Sequence, residues 1–225
     1  MAKLSALQID TGPEPKHTII WLHGLGASGH DFEPVVPEFA FARETPVRFI
    51  FPHAPELPVT INGGMVMPAW YDILAMDVDR KVDAEQLRAS ADRVAELIKA
   101  ERERGVASEN IILGGFSQGG AVAYELALSY PERLGGLFAL STYFATADSI
   151  ELSEANRKLP IFIGHGRFDQ IVMEQLGQAA YQTLQGLGFE PEYQDYGMEH
   201  SLCLEEVNDL DRFLTPLVAP KPVHE

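Results

Sequence analysis

The apolar positions of this chain follow two rhythms that alternate along its length. Residues 18–22, Thr-Ile-Ile-Trp-Leu, and the stretch from Val47 to Phe51 are short continuous runs rich in β-formers. The first stops at the turn His23-Gly24-Leu25-Gly26 and the second at Pro52. A run that is apolar on both sides fits a strand covered by helices on both faces. Between 84 and 104 the rhythm changes. Leu87, Ala91, Val94 and Ile98 recur at steps of four, three and four, which puts them on one helical face. Asp83 is placed to cap the front of this helix and Gly105 to close its back, while Glu96, Lys99, Glu101 and Arg102 mark its solvated side.

The same alternation continues to the end. A strand over 110–113 runs into a glycine-rich turn and a helix over 118–130 that Pro131 ends. Strands are expected over 137–141 and 160–163, a helix over 172–186, a strand over 189–194 and a last helix over 202–214. Strands and helices joined by short connections predict an α/β fold, a mostly parallel central sheet with helices on both faces. Residues 53–79 break the pattern: they hold Pro55, Pro58, Gly63, Gly64 and Pro68, then Trp70 and Tyr71, and read as a long ordered excursion, a kind of loop that commonly serves function. No repeat, low-complexity block or linker divides the chain, so residues 1–225 read as a single domain, with a Pro-rich tail from Pro216 to Glu225 that should fray.

Charge and composition narrow the partners. The chain carries 17 Lys and Arg against 33 Asp and Glu, a formal net charge of −16. Such a field works against nucleic acid and against an anionic membrane surface. Cys203 is the single cysteine, which rules out an intrachain disulfide and a Cys-rich zinc site. The start of the chain lacks an apolar stretch of signal-peptide length, and no 18-residue apolar run occurs. A cytoplasmic location and no stable membrane insertion are therefore expected.

The strongest chemical signal is Gly115-Phe116-Ser117-Gln118-Gly119, set between an apolar strand and a helix. A serine pinched at such a turn needs glycines two residues to either side, and its hydroxyl projects above the carboxyl edge of the sheet. The Gln118 N–H then opens a helix and can stabilise an oxyanion. The glycines do not spell a dinucleotide or phosphate loop: Gly-x-Gly-x-x-Gly is absent after the first strand, and no Gly-x-x-x-x-Gly-Lys precedes Ser or Thr.

A serine nucleophile needs a base, and the base needs an orienting acid. Of seven histidines, His200 lies late in the chain on a loop between a strand and a helix, as the order nucleophile, acid, base requires. Asp169, which follows the strand ending at His165-Gly166, is the acid; Asp148 lies in an irregular stretch, and Asp195 leaves the strand that must present His200. His165 leaves its strand too early to be the base and reads as a support for the acid loop. A second oxyanion donor is expected from the turn after the first core strand, at the Leu25 N–H.

These segments resemble the phospholipase/carboxylesterase family of small α/β-hydrolases, which includes carboxylesterases and acyl-protein thioesterases. The likeness is carried by Trp21-Leu22-His23-Gly24-Leu25-Gly26, Phe51-Pro52-His53-Ala54-Pro55 with Pro58-Val59-Thr60, and Trp70-Tyr71-Asp72. It continues through Gly114 to Gly120, Leu140-Ser141-Thr142-Tyr143, His165-Gly166 with Asp169, and Met198 with His200-Ser201. It implies an α/β-hydrolase fold without a large cap domain and assigns the same catalytic set, Ser117, Asp169 and His200, with Leu25 and Gln118 as oxyanion donors. It further implies that Trp70 and Tyr143 line the acyl site, and that neither cofactor nor metal takes part. The substrate would be a small-molecule acyl ester or thioester, and a homodimer stays open.

Two positions depart from the family pattern: Glu199 stands where glycine usually precedes the catalytic histidine, and Gln170 where proline usually follows the acid. Hydrolysis of short- to medium-chain carboxylic esters is the leading expectation, with acyl-protein thioesterase or lysophospholipase activity as the alternative.

Overall fold

The computed structural model describes residues 4–75 and 80–219. Its elements, in chain order, begin with β1 (Ala6–Asp10), β2 (His17–Leu22), a short α1 (Phe41–Glu44), β3 (Val47–Pro52), β4 (Glu56–Val59) and β5 (Met65–Pro68). They continue with α2 (Ala84–Glu103), β6 (Ile111–Phe116), α3 (Gln118–Ser129), β7 (Gly136–Leu140), β8 (Ile161–Gly166), α4 (Glu174–Gly186), β9 (Glu192–Tyr196) and α5 (Leu204–Val218). Seven strands form one sheet in the order β1-β3-β2-β6-β7-β8-β9, while β4 and β5 pair separately as a hairpin. Only β1 runs antiparallel; every other neighbour in the large sheet is parallel.

The continuous apolar runs explain the layering, because alternate side chains of one strand enter different cores. Ile20, Leu22, Ile111, Leu113, Leu137 and Ile163 pack beneath α2, α3 and α4. Ile19, Trp21, Ile112, Phe138 and Phe162 point the other way, against Phe32, Phe41 of α1 and Val207 and Leu210 of α5. At Gly114 a side chain would sit 1.9 Å from the Phe138 ring, so the glycine lets that ring lie across the neighbouring strand.

Helix α2 starts and stops where the sequence signals place it: the Asp83 side chain accepts from the Gln86 N–H at 2.9 Å, and Gly105 leaves the helix at φ +96°. Other boundaries shift for visible reasons. The strand expected over 189–194 begins only at Glu192, because Phe189 folds back to close α4, its N–H donating to Leu184 O at 3.0 Å. Helix α5 runs through Pro216, since Leu210, Leu214 and Val218 continue a buried stripe past it. The fraying expected from Pro216 therefore does not begin there, and residues 220–225 lie outside the described residues. Within the excursion, Gly63 and Gly64, at φ +66° and +79°, turn the β4–β5 hairpin. Among the described residues no helix is long and apolar enough to cross a membrane.

Candidate active site

Ser117 occupies the sharp turn between β6 and α3 at φ 53° and ψ −122°. This region costs a non-glycine residue on the order of 1–3 kcal/mol and persists only where its surroundings hold it. Here the Ser117 N–H donates to Leu140 O at 2.9 Å, and its carbonyl accepts from Thr142 Oγ1 at 2.6 Å and from the Gly120 N–H at 3.0 Å. The glycines make room. A Cβ on Gly115 would lie 2.4 Å from the Gly119 carbonyl carbon, and one on Gly119 would lie 2.5 Å from His23 O. The elbow glycines are thus dictated by close backbone approach.

Ser117 and His200 line the same cleft of about 460 Å³, together with Gly24, Leu25, Phe116 and Ile171. His200 follows β9, and its Nδ1 lies 2.6 Å from Oδ2 of the buried Asp169. The other oxygen of Asp169 accepts the N–H groups of Ile171 (2.9 Å) and Val172 (2.8 Å). Burial alone would push this carboxyl up; the hydrogen bonds from His200 and the two amides outweigh it and hold Asp169 below the usual range. An ionised Asp169 accepts the Nδ1–H of a neutral His200, which leaves Nε2 with its lone pair, as a base requires. The Phe116 ring packs against the imidazole, centroids 4.7 Å apart.

His165 acts on the acid loop as its position suggested: its Nε2–H donates to Val172 O at 2.8 Å, and burial keeps the ring neutral. The Gly166 beside it lets the following loop close in, since a Cβ there would lie 2.4 Å from Glu199 O. Glu199 itself is exposed and sits in ordinary backbone, so the departure from glycine needs no left-handed conformation.

Leu25 lines the cleft that holds Ser117, and Gln118 follows Ser117 directly in the chain, so the two expected donors come from two different elements. Gln118 is the first residue of α3, so its N–H has no partner inside the helix. The Leu25 N–H belongs to the planar peptide whose oxygen is Gly24 O, so fixing that oxygen fixes the direction of the N–H. Gly24 O accepts from His23 Nδ1 at 2.7 Å and from the Ala27 N–H at 3.2 Å. The tautomer follows from the far side of the ring, where Nε2 accepts the Ala54 N–H at 3.0 Å. Burial pushes the His23 pKa down and keeps it in this neutral form.

A family profile described as Phospholipase/Carboxylesterase matches residues 7–218. The chain belongs to that family. Among its relatives, acyl-protein thioesterase 1 of Gibberella zeae is 36% identical over 230 residues, spanning 97% of this chain and 98% of the relative. Acyl-protein thioesterase 1 of Neurospora crassa is 38% identical over 222 residues, spanning 91% and 89%. The crystal structure of Arabidopsis thaliana SOBER1 superposes with a TM-score of 0.84 at 32% identity, covering 90% of this chain and 99% of that one. The layered sheet described above is therefore the α/β-hydrolase fold, and the protein is a carboxylic-ester hydrolase of the phospholipase/carboxylesterase family.

Trp70 and Tyr143, the two residues expected to line the acyl site, are both buried. Trp70 is 1% exposed and is absent from the walls of the cleft that holds Ser117. Its indole N–H donates to His23 O at 2.8 Å. Tyr143 shares a hydrogen bond with Tyr71 at 2.7 Å, carries the Arg80 guanidinium 4.8 Å over its ring, and lines a separate cavity with Arg80 and Phe144. Their polar atoms are engaged in holding the excursion to the sheet. Conversely, the roles of the His23 ring and the Gln118 side chain leave no mark in the sequence, because both act through backbone groups of distant residues.

Proposed function

We propose that the protein hydrolyses thioesters of acylated cysteines, and carboxylic esters with them, through a Ser117-His200-Asp169 relay and an acyl-enzyme. His200 Nε2 takes the Ser117 proton as the hydroxyl attacks the acyl carbon, and the tetrahedral oxyanion is met by the Leu25 and Gln118 N–H groups. His200 then protonates the departing thiol or alcohol and afterwards activates the water that frees the acid, while Asp169 holds the imidazole tautomer and its positive form. The observation that carries the chemistry is the half-buried His200–Asp169 hydrogen bond in one cleft with a serine held in strained backbone.

The substrate class rests on relatives named acyl-protein thioesterase 1, which span nearly the whole chain at 36–38% identity. They favour the thioester over the short ester that the sequence put first. Cys203 alone, with no cysteine to pair it, suits the reducing compartment in which acylated cysteines occur. The test is turnover of an S-palmitoyl peptide, p-nitrophenyl butyrate and lysophosphatidylcholine by the wild type and by Ser117→Ala. The wild type should cleave the palmitoyl thioester at least as efficiently as the butyrate, and the variant should lose about 10⁴-fold or more on both. Cleavage of butyrate alone would return the enzyme to the short-chain esterases, and cleavage of the lysophospholipid in preference would make it a lysophospholipase.

A further inference from the structure

The two amides assigned to the oxyanion belong to parts of the chain more than 90 residues apart, Leu25 after β2 and Gln118 at the start of α3. An oxyanion hole works only if both donors lie within about 2.7–3.1 Å of one point, so something must set the spacing between them. A single four-residue segment, Pro68 to Tyr71, is bonded to both sides. Pro68 O accepts the Gly26 N–H at 2.8 Å, and the Trp70 indole donates to His23 O at 2.8 Å, so the Leu25 turn is held on either flank. On the other side, Gln118 Oε1 accepts the Trp70 N–H at 2.8 Å while Gln118 Nε2 donates to Tyr71 O at 2.7 Å.

Trp70 is the hinge of this arrangement, and all three of its polar groups are used: the indole on the Leu25 turn, the backbone N–H on Gln118, and the carbonyl on the Ser90 hydroxyl of α2. β2 and β6 are paired just before the turn and the helix, and where the two meet Gly119 presents only backbone to His23 O. We infer that Trp70, acting through His23 and Gln118, is a positioning residue that fixes the distance between the two oxyanion donors. The inference rests on the proposed Ser117 chemistry.

A clamp of this kind has a kinetic signature. The planar ground-state ester makes weak use of the donors and the tetrahedral oxyanion makes full use of them, so loosening the clamp lowers kcat and spares KM. Trp70→Phe removes the indole N–H and keeps an aromatic ring. Its kcat should fall about tenfold to a hundredfold, less than the loss of a whole donor, with KM within about twofold. The affinity for an alkyl trifluoromethyl ketone, which binds as an oxyanion, should fall in the same proportion as kcat. Inhibition by the product fatty acid and the acid limb of the kcat/KM profile should stay put. A tryptophan that merely packs would lower the folded fraction and the melting temperature and leave the ketone's inhibition constant alone.

Should Trp70→Phe not fold, Gln118→Met cuts the same clamp from the other side, keeps its backbone N–H, and is expected to show the same split. Where both variants fold, their double variant should lose less than the product of the two single losses, because both cut one clamp. Wild-type ketone affinity in either folded single variant overturns the inference, as does a double variant whose losses simply multiply. The controls separate the two claims: turnover by Ser117→Ala would overturn the proposed chemistry, whereas an inactive Ser117→Ala beside a Trp70→Phe with unchanged ketone affinity would overturn the clamp alone.

Discussion

In the proposed mechanism the acid–base half of the active site and its oxyanion half solve the same problem with different materials. Around β8 and β9 the working atoms are on side chains, and Asp169 and His200 meet in a hydrogen bond of 2.6 Å. Around β2 and the excursion that follows β3, the proposed working atoms are backbone amides, and side chains would serve only to aim them: His23 bonds Gly24 O of the Leu25 peptide, and Gln118 ties its own helix to Tyr71. The first half must therefore be sensitive at the residues that do the chemistry. The second must be sensitive at residues that never meet the substrate, and tolerant at Leu25, whose contribution belongs to every amino acid but proline.

The sharpest way to test that contrast is at Asp169. In Asp169→Asn the Ile171 and Val172 amides claim the side-chain oxygen, which turns the NH₂ group toward His200. The imidazole must then present the Nδ1 lone pair to it and carry its proton on Nε2, the tautomer that cannot accept from Ser117. A loss of about 10⁴ in kcat is expected with little change in KM. Retained kcat in a pure preparation would mean that the acid–base half does not work through this hydrogen bond. On the other half the expected losses are smaller. His23→Phe frees Gly24 O and should lower kcat about tenfold to a hundredfold, while Leu25→Ala, which keeps the amide, should hold kcat within about threefold and act mainly on KM. A larger kcat loss at Leu25 than at His23 would reverse the comparison.

The same division decides what could be read without coordinates. Ser117, Asp169 and His200 were legible as candidates because order along the chain and position after a strand select them, and the apolar runs at 18–22 and 47–51 located β2 and β3 to within a residue. Side-chain chemistry leaves its identity in the sequence. Hydrogen bonds to backbone leave none, so Trp70 could be singled out as important without a sign of the bonds it makes to His23 O and Gln118. The β4–β5 hairpin escaped notice because its strands are only four residues long and half exposed, which erases any period. Strand β1 carried a usable signal, the alternation of Leu7 and Ile9 with Gln8 and Asp10, but five residues with three of them exposed are too short a pattern to stand out. The segment from Gly29 to Glu38 turns as 3-10 helix under Pro34 and Pro37, where a heptad or 3.6-residue pattern has no purchase.

Each half also rests on one buried carboxylate, and these two differ more than anything in the cleft. Under the oxyanion half, Glu101 of α2 accepts from Thr18 Oγ1 at 2.5 Å, from Arg104 Nη2 at 2.6 Å and from Arg48 Nη1 at 3.3 Å. Burial pushes its pKa up, and these partners bring it below the usual value. Under the acid–base half, Glu206 of α5 is fully buried beside Gly164, where a Cβ would lie 2.2 Å from Oε1, and neither of its oxygens has a hydrogen-bond partner among the described residues. Burial first, then the charge of Asp209, pushes Glu206 up to about 8.

The two carboxylates should make stability respond to pH with opposite signs. Glu101 has a depressed folded pKa, so its contribution is present above its unfolded value near 4.5 and is lost as the solution is acidified. Glu206 has a raised one: the folded state binds the extra proton, and the contribution is complete below about 4.5 and lost as pH rises through about 8. Glu206→Gln imitates the protonated acid. It should match the wild-type melting temperature near pH 5 and exceed it at pH 8.5 by several degrees, on the order of a few kcal/mol for a shift of this size. Its kcat at pH 7 should stay within about twofold, the smallest effect on turnover of all these changes. Glu101→Gln should show the reverse, a deficit at pH 8 that shrinks toward pH 4. Melting curves of Glu206→Gln and the wild type that run parallel from pH 5 to pH 8.5 would mean that the Glu206 carboxyl is solvated, and that the two halves share one kind of foundation.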